Sequence, residues 1–291
     1  MATLTFAHTT NDNSAPWLIS THIFTIITSY LQPSPADTAV LSASDAAQKL
    51  DSLFPTNRSG IDGDEEKKES PGSFLAEFWD VIIMVVQQIP ASHPLQDKLI
   101  ALLKALSELP TETVVDIWEG ESRVWQDLPL MGPNLVEAEN YISQDQEPEK
   151  WRNFNAFCAR LTRGDVCDMS LIGTHTLSKT LEDEPDPRAR AYHAYREVFK
   201  KQVPVAALWI EISGEAMWKR CKGDISTEGL EDGCRGRLWK GKPLGLSMER
   251  WEFWKDRWAV IGEHPVADEE TKEQARRMHE VMVRVEREAA L

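Results

Sequence analysis

Two consecutive stretches of the sequence leave little choice of secondary structure. From Phe74 to Ile89 the chain is apolar on almost every side, and Pro90 then stops the run. Leu95, Leu99, Leu102, Leu103 and Leu106 follow at helical spacing until Pro110. An all-round apolar run marks a centrally buried helix, and a row spaced by three and four marks one helix face. The spacing predicts two helices, the first opening after Ser73 and the second capped at Ser92, joined by only a few residues, and so an antiparallel pair.

The same period recurs along the chain. Asn134–Ile142 reads as a short helix, and Trp151, Phe154, Phe157, Cys158 and Leu161 form the face of another that ends at Gly164. Val166, Met169, Ile172, Leu177 and Leu181 mark the next, closed by a loop over Glu182–Pro187. Ala189–Gln202 reads as a charged amphipathic helix, and Pro204 fits the first turn of a separate one that faces Leu208, Trp209, Ile212 and Ala216 inward. Ser247 caps a helix bearing Met248, Trp251, Trp254, Trp258 and Ile261, and Glu269–Ala289 is the last. Nearer the start, Trp17–Leu31 has the β-branched content of a strand but the length of a helix, and is read as a helix because no partner strand appears; Ser44 caps a short one with Ala47, Leu50 and Phe54 on one face. No run reads as a strand. The fold class expected is all-α, an irregular multi-helix bundle built from helical hairpins.

Charge and composition divide the chain further. Residues 1–145 hold seven Lys or Arg against 21 Asp or Glu, whereas residues 146–291 hold 25 against 26. The segment from Pro55 to Pro71, with Gly60, Gly63 and the charged run Asp62–Glu69, offers a core only Ile61. The expected organisation is a disordered N-terminus over 1–15, peripheral helices over 16–55, an acidic flexible linker over 56–71 and a main helical domain over 72–291. Gly223–Gly245 is a second loop-rich region.

The net charge of −15 argues against sequence-independent nucleic-acid binding, which needs a basic footprint. The four cysteines, Cys158, Cys167, Cys221 and Cys234, form no C-x-x-C pair and read as free thiols of a reducing compartment. The apolar stretch Trp17–Leu31 is broken by six polar residues and falls short of the ~20 apolar residues of a membrane helix. No signal-peptide pattern opens the sequence. The chain is therefore expected in the cytoplasm, with the nucleus also open to it, and away from membranes.

The chemical motifs are few. Gly236-Arg-Leu-Trp-Lys-Gly241-Lys242 matches G-x-x-x-x-G-K, but Pro243 stands where a phosphate-binding loop needs Ser or Thr, and neither the strand before nor the helix after is present. Arg235, Arg237, Lys240 and Lys242 nevertheless surround Trp239 with four cations, a candidate surface for an anionic ligand or acidic partner. The plainer reading is a solvated loop with one Trp anchored in the core. Trp251, Trp254 and Trp258 share a helix face, as a ligand pocket or, more simply, a packed core would have them. Cys158, Cys167, His175 and His193 lie close in sequence but carry no nucleophile–base signature. Asp62-Gly63-Asp64 lacks the ligand spacing of a calcium loop, and no metal or cofactor is expected. Glu211, Glu215 and Lys219 read as one row of a helix surface.

Three segments together carry a family resemblance: His93-Pro-Leu-Gln-Asp-Lys-Leu-Ile-Ala-Leu-Leu103, Trp151-Arg-Asn-Phe-Asn-Ala-Phe-Cys-Ala-Arg-Leu161, and Val203-Pro-Val-Ala-Ala-Leu-Trp-Ile210 followed by Gly214. With Leu238-Trp-Lys-Gly241 and Ser247–Trp258, the pattern resembles a large fungal family of helical proteins described only as a domain of unknown function. The resemblance spans residues 73–262. It implies a helical fold and supplies no catalytic residues. Some family members are encoded beside secondary-metabolite biosynthesis genes. Within this region Arg160 falls on a buried helix face and needs a carboxylate or carbonyl partner, as a structural clamp or as a pocket-lining cation. The expected function is non-catalytic, with an unknown protein partner; the alternative is a small-molecule binder or enzyme of secondary metabolism with a Trp-lined pocket.

Overall fold

In a computed structural model the described residues are 4–6, 15–33, 40–58, 69–118, 120–190, 192–223 and 235–289. Most of the expected disordered N-terminus, the centre of the expected linker with Asp62-Gly63-Asp64, and Cys234 lie outside them. The described residues form ten α-helices and one two-stranded ladder, a predominantly all-α fold. The chain divides into two compact units, residues 1–143 with 149–154, and residues 144–148 with 155–291.

The first unit contains α1 (Ala15–Leu31), α2 (Ala43–Asp51), α3 (Pro71–Gln88), α4 (Leu95–Ser107), β1 (Val114–Ile117), β2 (Gly120–Arg123) and α5 (Met131–Tyr141). Several helix starts differ from the sequence reading. Ser42, not Ser44, caps α2, with a reciprocal bond to Asp45, and Ser70 caps α3. Pro94 stands at the start of α4 in place of Ser92, and the side chain that reaches the first turn is that of His93, whose Nδ1 accepts from Leu95 N at 3.2 Å. The expected α3–α4 pair gives way to α4 lying on α2 and α1, while α3 packs on α1 and α5. Pro90 and Pro94, at the two ends of the connection, restrict the backbone of the residues before them and turn the chain away.

Phe54, Phe74, Phe78, Trp79 and Trp125 form the aromatic centre of this unit, with Phe78 4.9 Å from Trp79 and 5.1 Å from Trp125 between ring centroids. Both indoles are satisfied: Trp79 donates to Pro129 O at 2.7 Å and Trp125 to Asp51 Oδ1 at 2.7 Å. Phe54 and Pro55 are buried, and the turn that follows α2 reaches Arg58. Arg58 pairs through both terminal nitrogens with Glu69, at 3.0 and 2.6 Å, and so joins the two edges of the segment 59–68.

The ladder corrects the expectation of no strand. Val114–Ile117 and Gly120–Arg123 pair antiparallel, Asp116 opposite Glu121 and Ile117 opposite Gly120. These strands of four residues are too short to display an alternation a sequence reader would trust.

Helix α6 (Pro148–Arg163) contributes Glu149–Phe154 to the first unit and Asn155 onward to the second. The second unit continues with α7 (Ser170–Leu181), α8 (Tyr195–Cys221), α9 (Met248–Gly262) and α10 (Glu269–Glu288). Here α10 lies along both α8 and α9, and α7 along α8. The expected break before Pro204 does not occur. Pro204 sits inside the single helix α8, because its flanking residues Val203, Val205, Ala206 and Ala207 are all buried and packing outweighs the lost backbone bond. Asn155 Oδ1 accepts from Thr176 Oγ1 at 3.1 Å and from Trp209 Nε1 at 2.9 Å, tying α6, α7 and α8 together in the interior. Gly173 lets Trp209 approach α7, since a Cβ there would lie 2.7 Å from its ring.

Candidate functional site

The basic loop that the sequence singled out lies in the second unit, and it is held from beneath by one carboxylate. Glu182, the residue that follows α7, is fully buried. Its Oε1 accepts from Arg250 Nε at 2.7 Å and from Trp254 Nε1 at 2.8 Å. Its Oε2 accepts from Arg250 Nη2 at 3.1 Å and from the backbone N–H of Gly236 at 2.8 Å. Its carbonyl accepts from Leu238 N at 2.8 Å. Arg250, also buried, spends its remaining donor capacity on the carbonyls of Leu244 and Gly245.

This arrangement decides the fate of the phosphate-loop motif. A phosphate cradle needs free backbone N–H groups converging on one point. In Gly236–Lys242 the amides of Gly236 and Leu238 are taken by Glu182, and that of Arg237 faces Asp183 Oδ1 at 3.3 Å. The amides of Trp239, Lys240 and Lys242 close turns onto carbonyls of the loop itself. Arg237–Trp239 is a single 3₁₀ turn.

The cations of the loop are mostly engaged. Arg235 Nη1 reaches Lys242 O at 2.6 Å. Arg237 pairs with Asp183 at 3.0 Å and donates to Glu184 O at 2.8 Å. Lys242 pairs with Glu249 at 2.6 Å and stands 4.4 Å over the ring of Trp239. Trp239 itself is fully buried, its indole donating to Pro243 O at 2.8 Å. Lys240 is exposed. Arg160 belongs elsewhere, on the buried side of α6, where Nη1 donates to Ala156 O at 3.1 Å. Trp251, Trp254 and Trp258 are fully buried core residues.

Sequence reasoning missed Glu182, Arg250 and Arg257. Arg257 Nε donates to Leu181 O at 2.9 Å, placing a cation at the carbonyl end of α7 where the helix dipole favours it. One turn-rich stretch, 182–184, thus receives two arginines of α9. Their spacing of seven residues on a Trp-bearing face was the available signal.

The candidate nucleophiles are muted. Cys158 is buried, and Cys167 lies 3.5 Å from Met169 Sδ. Burial pushes the Cys167 thiol up to about 11, helped by Asp168, and burial pushes that of Cys221 up to about 12. Thiols held this high are almost wholly protonated at neutral pH and poor nucleophiles. Among the described residues no three His, Cys, Asp or Glu side chains gather as a metal site. No helix among them is long and apolar enough to cross a membrane.

A concavity of the unit lies elsewhere, between α8 and α10 beside the end of α6, with a volume of about 690 Å³. Its floor is two rows at i, i+4, i+8: Ile210, Gly214 and Trp218 from α8, and Val281 and Val285 from α10 with Ala289, the residue that caps its end. Gly214 keeps the floor low, since a Cβ there would already touch Val285 Cγ2 at 3.7 Å. Trp218 is 5% exposed, and its indole nitrogen has no hydrogen-bond acceptor among the described residues. The rim holds four cations, Arg163, Lys219, Arg220 and Arg284, against four acids, Asp165, Glu211, Glu215 and Glu288. Glu215 and Lys219 pair at 2.6 Å, as the helix-row reading expects.

Residues 79–258 match the model of a family described as protein of unknown function, DUF3632. The chain belongs to this family. The matched stretch runs from α3 into α9 and carries Glu182, the basic loop, Arg250 and the α8 wall of the groove, while α10 lies beyond it. No curated protein and no solved structure matches the chain.

Proposed function

We propose that this is a non-catalytic accessory protein that acts by binding, with the groove between α8 and α10 as its seat and an amphipathic helix of a partner protein as the occupant. The observation that carries the proposal is the groove floor. Two parallel apolar rows of two helical turns each, about 12 Å long at 1.5 Å per residue, suit a helix presenting apolar residues at the same spacing. The balanced rim favours a polypeptide of mixed charge over an anion such as nucleic acid. The raised thiols and the structural engagement of Glu182, Arg250 and Arg257 are consistent with an interior that serves the fold and not a reaction.

A second reading rests on Trp218. A volume of 690 Å³ lies within the range of small-molecule sites, and the buried indole N–H would find its acceptor on a ligand. The family resemblance supplies the setting for both readings, an intracellular role beside a fungal secondary-metabolite pathway.

Affinity capture with the wild type and a Val281→Arg variant in parallel tests the proposal. Val281 is half-buried on the groove floor, so the new side chain fills the groove and reaches water while the core stays intact. A partner lost from the variant at unchanged thermal stability supports it, and an identical partner set overturns it. A saturable thermal shift with a metabolite, abolished by Val281→Arg, would favour the second reading.

A further inference from the structure

The β1–β2 hairpin of the first unit carries features that are unfavourable in the isolated molecule. Trp118 opens its two-residue turn, is 75% exposed and has φ +53°, the left-handed region where a bulky side chain is disfavoured. Turn chemistry places Asn, Asp or Gly at such a position. Asp116 and Glu121 face each other directly across the ladder, both exposed, and like charges so opposed repel. Val114, on the same outward face as Asp116, is 51% exposed, while Val115 between them turns into the core.

The sequence around the hairpin is strongly acidic. Arg123 is the only Lys or Arg in positions 105–149, against eleven Asp or Glu. It is already committed to Asp127, at 2.6 Å from Nη2 and 3.2 Å from Nε. The hairpin therefore carries two exposed carboxylates, Asp116 and Glu121, close in sequence to a large exposed π-face.

We propose that this hairpin is a docking element for a basic polypeptide segment, with an Arg or Lys side chain stacking on Trp118 and pairing with Asp116 and Glu121. A cation over an indole is attracted by the ring quadrupole, and a guanidinium does so best because it is weakly hydrated. The same cation relieves the repulsion between the two carboxylates. Trp is the residue type most often found as an interface anchor, and costly backbone conformations persist where function holds them. Membranes and nucleic acids, which present phosphates, are disfavoured by the acidic surround. This site is in the first unit and does not depend on the groove reading.

The test is calorimetric titration of the intact protein with an octa-arginine peptide, an octa-serine control and vesicles of phosphatidylcholine with phosphatidylserine. Octa-arginine is expected to bind and octa-serine and vesicles not to. Trp118→Ala, which leaves net charge unchanged, should weaken octa-arginine binding at least tenfold, and Asp116→Asn/Glu121→Gln by a similar factor. In NMR spectra the indole N–H resonance of Trp118, assigned by its absence in Trp118→Gly, should shift on titration. Unchanged affinity in Trp118→Ala would reduce the attraction to bulk charge and overturn the proposal, as would no binding by the wild type or vesicle binding through Trp118.

Discussion

Arg250 on α9 and Glu182 at the end of α7 form a two-pronged ion pair with both side chains at 0% exposure, 68 positions apart in the sequence. Bidentate geometry and the additional donors on the carboxylate, from Trp254 and Gly236, are what make such a buried pair tolerable. The pair joins α7 to α9 and carries the basic loop on its back. Its charge is therefore used up inside the fold, and the loop above it is a fixed surface.

Removing one partner leaves the other charge buried and unanswered. Glu182→Gln and Arg250→Met are each expected to destabilise the protein by about 3–5 kcal/mol, measured by denaturant unfolding. Arg250→Lys should not rescue, because one ammonium cannot span both carboxylate oxygens and the Leu244 carbonyl. The double variant Glu182→Leu/Arg250→Leu should lose less than the sum of the single changes, yet still more than nothing, since the N–H groups of Gly236 and Trp254 lose their acceptor.

Two glycines are predicted to be intolerant for reasons of space. A Cβ on Gly236 would lie 2.6 Å from the backbone carbonyl of Glu182, and one on Gly173 would lie 2.7 Å from the Trp209 ring. Gly236→Ala and Gly173→Ala should each cost about 1–3 kcal/mol, as overpacking does. Gly72→Ala, with nothing within 4 Å of its Cβ, is the control expected to leave the melting temperature unchanged or slightly raised.

The sequence was most informative where burial is one-sided or complete. The rows of α3, α4, α6 and α9 were readable because their apolar residues recur at the helical period, and the Trp251/Trp254/Trp258 stripe was readable as core for the same reason. Pro204 misled because proline is a local signal, and its cost of ~3 kcal/mol is outweighed by packing on both sides of it. Trp118 carries none of the usual turn chemistry, so the hairpin had no local mark. Glu182 was hidden for another reason. Its role comes from residues 54 to 72 positions away, and nothing in a charged loop announces which carboxylate will be drawn inside.

The thiols give a direct chemical check on the interior. With Cys167 held up at about 11 and Cys221 at about 12, about one Cys167 side chain in a thousand is thiolate at pH 8, and fewer of Cys221. Alkylation by iodoacetamide should leave both, and buried Cys158, unmodified in the native protein and label all three in guanidinium chloride, as peptide mass mapping would reveal. Rapid native labelling of Cys167 would mean that the end of α6 opens readily.

A pH signature is expected from the first unit. Asp80 on α3 keeps part of its surface in water, but burial of the rest, with Glu77 on its own helix and Glu137 on α5, holds its carboxyl up at about 6. It lines a concavity between α3 and α5 with Asn134, Glu137 and Tyr141. Because the folded value lies above the ordinary 3.8, the folded chain takes up a proton between pH 7 and 5 that the unfolded chain does not bind until about pH 4. Stability contributed by this group therefore rises as pH falls from 7 to 5, and the penalty is fully present above the folded value. Asp80→Asn should raise the melting temperature at pH 7 and remove most of the gain seen at pH 5. Glu137→Gln should do the same to a smaller extent, by lowering the repulsion that Asp80 meets. A wild-type melting temperature that falls steadily from pH 7 to 5, with Asp80→Asn falling in parallel, would show that Asp80 titrates in the folded chain as it does in water.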